Sequence, residues 1–202
     1  MALGTVAAPV SSSYELRFDA GRICLDLLAT THPEERFDSV EPLRAWISGS
    51  GLVPAGTSLA VADASWLVGF RELRGHIGQL VRAEASRESR AFGIALACVN
   101  ELARAAAPPA PCAVWDDGGA LVRGLDGAPS CAALLAAVAR DAVELLTDPV
   151  ARAGIRQCEG DNCPIVYLDT SRGRRRRWCS SETCGNRERV ARHRRRAALA
   201  RA

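Results

Sequence analysis

Four cysteines near the C-terminal end are spaced for metal chemistry. Cys158 and Cys163 enclose four residues, Cys179 and Cys184 enclose four more, and fifteen residues separate the pairs. Zinc takes soft thiolates in a tetrahedron, and two short cysteine knuckles joined by a loop supply four of them. Each knuckle has to turn tightly. Gly160, Asp161 and Asn162 suit the first, and Ser180, Ser181 and Thr183 the second. The expected cofactor is one structural Zn2+ held by Cys158, Cys163, Cys179 and Cys184. Two disulfides, or a redox switch, are the competing readings of the same spacing. Four thiolates close the coordination sphere, so such an ion holds a fold and leaves no open position for catalysis. Cys24, Cys98, Cys112 and Cys131 have no paired spacing and read as small buried hydrophobes.

The second constellation is basic. The chain has no lysine, and its 26 basic residues are all arginine. From 151 to 202 there are fourteen arginines against five acidic residues, a net of +9 within a chain-wide +3. Residues 1–150 carry 12 basic and 18 acidic side chains, a net of −6. Codon bias spreads arginine evenly, whereas a polyanionic partner explains a basic tail on an acidic body. Arg172, Arg174, Arg175, Arg176 and Arg177 lie in the loop between the knuckles; Arg187, Arg189, Arg192, Arg195 and Arg196 follow Cys184. These ten are the candidate nucleic-acid contacts, since arginine reaches phosphates and binds guanine bidentately. The bland alternative is a solvated charge run.

The elements that must position these residues follow from patterning. Residues 1–13 read as disordered. Tyr14 to Phe18 alternates like a short strand, and Ile23 to Thr30 reads as a short helix. Ser39 is placed to cap a helix through Ile47. Trp66, Leu67, Phe70, Leu73, Ile77, Leu80 and Val81 recur at helical spacing within a helix from about Ser58 to Glu84, weakened by Gly69, Gly75 and Gly78. Ser89 caps a further helix to about Ala106, and Val114-Trp115 and Leu121-Val122 flank a hairpin turn. Cys131 to Leu146 carries another helical stripe, ended by Asp148-Pro149. Beyond it, Ile165 to Leu168 reads as a short strand, Trp178 as a cover on the metal core, and a helix starts at about Asn186. The segment is too small and polar to fold without a metal.

The expected fold is α+β: a mostly helical N-terminal domain (14–149) with a short strand and a β-hairpin, plus a small four-cysteine zinc module (150–202) ending in a basic helix. No apolar run spans a membrane and no signal peptide is evident, so a cytoplasmic protein is expected.

Three function classes remain open on these residues. The first is a DNA-binding regulator whose N-terminal domain dimerises or senses a small-molecule effector. The second is an RNA-binding or ribosome-associated zinc protein, whose mark is aromatic stacking on single strands. The third is a small-molecule enzyme using the N-terminal domain, for which a polar cleft containing Asp26, His32 and Arg36 is the discriminating feature. The scattered histidines and the lack of a Gly-rich phosphate loop disfavour it.

A family resemblance bears on this choice. Arg177-Trp178-Cys179-Ser180 and Cys184-Gly185-Asn186-Arg187, preceded by Cys158, Cys163 and Leu168-Asp169, resemble the CGNR zinc finger. Phe18 to Asp26, followed by Leu43, Trp46 and Gly51-Leu52, resembles the ABATE domain that precedes such fingers in bacterial proteins. The resemblance spans nearly the whole chain. It implies a stress-linked bacterial transcription regulator with the four cysteines as zinc ligands and the finger on DNA. Asn186 and Arg187 become the motif's polar pair, Asn186 capping the last helix or bonding a knuckle carbonyl, Arg187 bracing the fold or meeting a phosphate. In one departure, Ala29 stands where the family pattern has Asn before the residue aligned with Thr30.

Overall fold

The computed structural model describes residues 16–82 and 89–199. Four helices come first: α1 (Ile23–Ala29), α2 (Val40–Gly49), α3 (Ala64–Arg82) and α4 (Arg90–Ala105). An antiparallel hairpin, β1 (Pro111–Trp115) with β2 (Leu121–Leu125), follows, then α5 (Cys131–Thr147) and the single-turn α6 (Pro149–Arg152). The chain ends with a second antiparallel hairpin, β3 (Ile155–Gln157) with β4 (Val166–Leu168), a π turn (Ser181–Gly185) and α7 (Asn186–Leu199).

The long apolar stripes behave as their periodicity requires. α3 buries Trp66, Leu67, Phe70, Leu73, Ile77 and Leu80 and runs unbroken through its three glycines. It starts at Ala64, later than expected, because the Asp63 carboxylate accepts from the amides of Ser65 (2.9 Å) and Trp66 (3.4 Å) and caps it there. Its expected end at Glu84 lies outside the described residues, as does the expected disorder of 1–13. Ser89 caps α4 as anticipated, accepting from Phe92 N–H. Ser39 sits at the N-cap of α2, but its hydroxyl donates to Asp38 instead of capping. α5 buries Leu134, Leu135, Val138, Ala142 and Leu145 against α3 and α4. Trp46 of α2 is fully buried between Phe37 and Phe70, edge-on to both at 5.9 and 5.8 Å.

Two differences matter for the site. The strand expected over 14–18 does not form at the described residues 16–18. Instead the Phe18 ring covers Gly49, where a Cβ would lie 2.6 Å from its Cζ, and Arg17 turns towards the cysteines. The finger's own sheet, in contrast, gains a strand. β3 pairs with β4, with Ile155 opposite Leu168 and Gln157 opposite Val166, which gives the expected strand around Ile165–Leu168 the partner it needs. Apolar burial is continuous from the helices into this sheet: Leu25, Leu134, Tyr167, Leu168 and all four ligand-type cysteines belong to one buried cluster.

Candidate zinc centre and nucleic-acid interface

The first knuckle is the tip of the β3–β4 hairpin. Cys158 N–H donates to Ile165 O (2.9 Å), and Cys163 N–H donates to Gly160 O (3.1 Å) to close the turn. Asn162 takes the left-handed conformation (φ 56°) that Asn tolerates better than most residues. A Cβ on Gly160 would stand 3.2–3.4 Å from the side chains of Cys184 and Cys158, so the approach of the knuckles uses its missing side chain. The second knuckle is the π turn. Ser180 Oγ accepts from the amides of Glu182 and Thr183, both at 3.2 Å, and Gly185 N–H returns to Ser180 O at 2.9 Å. The turn runs directly into α7, so the metal site fixes the direction of that helix.

The four Sγ atoms lie within 4.8 Å of one another, and all four residues are buried. A tetrahedral site with Zn–S bonds of about 2.3 Å sets neighbouring sulfurs roughly 3.8 Å apart. Cys163 and Cys179 are separated by 3.7 Å and Cys179 and Cys184 by 3.6 Å, which fits zinc and is far beyond a disulfide bond of about 2.05 Å. The surroundings also suit thiolates. Burial opposes ionisation of Cys158, but N–H groups of Cys179 (3.3 Å) and Gly160 (3.4 Å) aim at its sulfur and bring its pKa below the ordinary value. Burial pushes Cys163 up to about 11, so it needs a bound cation to ionise at neutral pH. Arg17 donates to Cys179 Sγ at 3.3 Å. One structural zinc belongs here. The remaining cysteines are free, with Cys24 buried and Cys98, Cys112 and Cys131 half-buried.

Between the knuckles, Asp169 organises the basic loop. Its buried carboxylate accepts from Ser171 N–H (2.9 Å) and Arg176 N–H (3.0 Å), pinning both ends of the arginine turn. Arg176 is part of this frame. Its guanidinium stacks over Tyr167 (4.6 Å) and donates to the carbonyls of Trp178 (2.8 Å), Cys179 and Asp19 (3.2 Å). Burial raises the Tyr167 hydroxyl to about 12, so it stays protonated and donates to Arg176 O at 2.5 Å. Trp178 packs over Gly185, as expected of a cover for the site, with Arg177 above its ring at 5.1 Å.

The ten candidate arginines therefore divide. Arg176 is built into the fold; Arg177 pairs with Glu159 (2.5 Å), Arg195 with Glu188 (2.8 Å), and Arg189 donates to Gly185 and Ser181 carbonyls. Arg172, Arg174, Arg175, Arg187, Arg192 and Arg196 are exposed, and none has an ion-pair partner or side-chain hydrogen bond among the described residues. Arg194 shares this condition. Asn186 does not cap α7: it already has helical geometry, and its exposed side chain makes no hydrogen bond among the described residues.

The Asp26, His32, Arg36 cleft forms only in part. Asp26 is 8% exposed and points inward, its carboxylate accepting from Ala20 N–H at 2.9 Å, because α1 buries every residue from Cys24 to Ala29. His32 and Arg36 do line a cleft, facing the zinc knuckle. Ala29 packs in the core, and Thr30 beside it accepts from Arg74 (2.8 Å), which also clasps Glu35. Sequence reasoning misses Arg17 as part of the site, and it marks Asp169 only as a motif residue, without its role in pinning the loop. Asp169 two residues before a serine is an Asx-turn signal, whereas nothing near Arg17 in sequence points to Cys179.

Residues 21–149 match the ABATE family, described as "Putative stress-induced transcription regulator", and residues 155–197 match the CGNR zinc finger. The chain belongs to the ABATE family. No curated protein matches it. In this ABATE protein the family's finger motif coincides with the buried sulfur cluster, and no helix among the described residues is long and apolar enough to cross a membrane.

Proposed function

We propose that the chain is a cytoplasmic DNA-binding transcription regulator in which the zinc unit (150–202) presents its arginines to duplex DNA and the ABATE unit (14–149) senses a signal or dimerises. The observation that carries this reading is the set of exposed, uncommitted arginines on one rigid frame: Arg172, Arg174 and Arg175 at the tip of the Asp169-pinned loop, and Arg187, Arg192 and Arg196 on α7. Side chains without carboxylate partners are available to phosphates, and a frame fixed by metal loses little entropy on binding. The regulator and finger families point the same way. Four thiolates leave the zinc no open position, which speaks against catalysis at the metal. Within the finger the RNA reading finds little free aromatic surface, because Tyr167 is buried and Trp178 is packed against Gly185.

Titration of zinc-loaded protein into labelled duplex DNA at several salt concentrations tests the proposal. Six phosphate contacts give a slope of log K against log[salt] near −5, from about −0.9 per contact. Absence of duplex binding at low salt, or a marked preference for structured RNA over duplex, would overturn it.

A further inference from the structure

A cleft of about 670 Å³ opens between the ABATE helices and the finger. Its N-terminal wall carries Arg17, Phe18, His32 and Arg36, and its finger wall carries Thr183 and Arg187. The volume is that of a small-molecule site, typically about 300–1,000 Å³. Both walls are held from behind. Glu35, next to Arg36, is clasped by Arg74 through two hydrogen bonds of 2.8 and 2.5 Å, and Arg36 N–H donates to Thr30 O at 2.9 Å. The finger wall is the π turn that carries Cys184, with Arg187 three residues on.

The cleft is positive. Arg17 is already engaged by Asp19 through bonds of 2.9 and 2.7 Å, though its charge still reaches His32. Arg187, in contrast, has no carboxylate within ion-pair distance among the described residues. Glu182 lies on the rim, exposed and likewise without an ion-pair partner among them. Burial and then the charges of Arg17, Arg187 and Arg36 lower the pKa of His32, so three guanidinium fields converge on that ring and leave it a neutral hydrogen-bonding imidazole. Beside the cations stands an apolar surface, the Phe18 ring seated over Gly49.

We propose that this cleft binds a small organic anion, with its phosphate or carboxylate held by Arg187 and Arg36 beside His32 and its body against Phe18, and that the bound anion competes with DNA for Arg187. The competition rests on the DNA-binding reading above; the anion site does not. A ligand there touches the sensing unit and the first turn of α7 together, so it joins the two parts of the chain with no intermediate element.

Phenyl phosphate and benzoate, which present the two head groups on one aromatic body, are the probes. Calorimetric titration of the zinc-loaded full chain at constant ionic strength is expected to give saturable 1:1 binding of at least one of them. Arg187→Gln and His32→Gln are each expected to weaken it tenfold or more, and Arg123→Gln, on exposed β2, to leave it unchanged. Should Arg187→Gln lose zinc, His32→Gln on the opposite wall decides. Failure of both probes to saturate, or an equal loss in Arg123→Gln, overturns the site. In a second arm, a saturating probe is expected to lower duplex affinity severalfold in the natural protein and not in Arg187→Gln; an equal effect in both overturns the competition. Anion binding without duplex binding would sink the DNA reading and leave the site standing, and the reverse result would sink the site alone.

Discussion

Arginines that look equivalent in the sequence carry different work in the fold. Arg176 is enclosed by Tyr167, Asp169 and three carbonyl groups, while its neighbour Arg175 is exposed. Arg176→Ala leaves those carbonyls without their charged donor and is expected to cost about 2 kcal/mol in urea unfolding. Arg175→Ala is expected to change stability by less than about 0.5 kcal/mol and to reduce the magnitude of the DNA salt slope by about 1. Equal stability losses in the two variants would contradict this division. Asp26 makes a second residue-level prediction. Burial raises its pKa to about 6 against the downward pull of the Ala20 N–H, with further upward pressure from Asp19 and Asp141. Between its ordinary value of 3.8 and about 6, the folded state keeps a proton that the unfolded chain releases, so its contribution to stability falls as pH rises through that window. Asp26→Asn preserves an acceptor for Ala20 N–H and removes the charge. It is expected to stabilise the protein by on the order of 2 kcal/mol at pH 8, the gain vanishing towards pH 4. Denaturant midpoints of the two proteins at both pH values check it.

At the scale of elements, β4 is buried against α1, but β3 and α7 depend on metal more than on apolar contacts. β3 has three residues, two of them exposed, and α7 is largely charged and exposed, with Val190 and Ala191 only partly covered. An isolated helix of this length is marginal in water. Chelation of zinc is therefore expected to abolish α7 and the β3–β4 pairing while α3, α4 and α5 persist. Circular dichroism should lose only part of its helical signal, and amide exchange should accelerate only beyond about residue 155. The same physics explains what the sequence made legible. α3 and α5 are readable because wide apolar stripes repeat at helical spacing over seventeen or more residues, α4 from the Ser89 cap at its start, and the cysteines because ligand chemistry dictates their spacing. β3 is not, since Ile155-Arg156-Gln157 is a strand only by virtue of its pairing with β4. The strand expected at 14–18 has the right alternation, yet its described part makes no pairing, and Phe18 finds its cover on Gly49 instead. The cleft was half legible. The sequence marks His32 and Arg36, but Arg187 and Arg17 join them through tertiary packing, and Asp26 faces inward on a helix too short to show its period.

At the scale of the molecule, segment 17–21 couples the two parts of the chain. Arg17 reaches Cys179, the Asp19 carbonyl receives Arg176, and Ala20 O accepts from Leu168 N–H at 2.7 Å. Gly21 closes the clasp. Its φ of +88° lies in the left-handed region, and a Cβ there would stand 3.2 Å from Leu168 O and 3.3 Å from Leu168 Cβ. Both features exclude a side chain: the backbone conformation costs a non-glycine residue about 1 kcal/mol or more, and the strand behind it would have to retreat. Because apolar burial runs unbroken from the ABATE helices to the cysteines, the natural protein is expected to release zinc and expose its core tryptophans in one transition. Gly21→Ala pushes β4 away from the helices without touching a ligand. Zinc release, followed with a chromogenic chelator, should then occur at lower urea than the change in tryptophan fluorescence from Trp46 and Trp66. If the two transitions stay coincident in the variant, the clasp is not what transmits stability between the parts, and the shared core alone must do so.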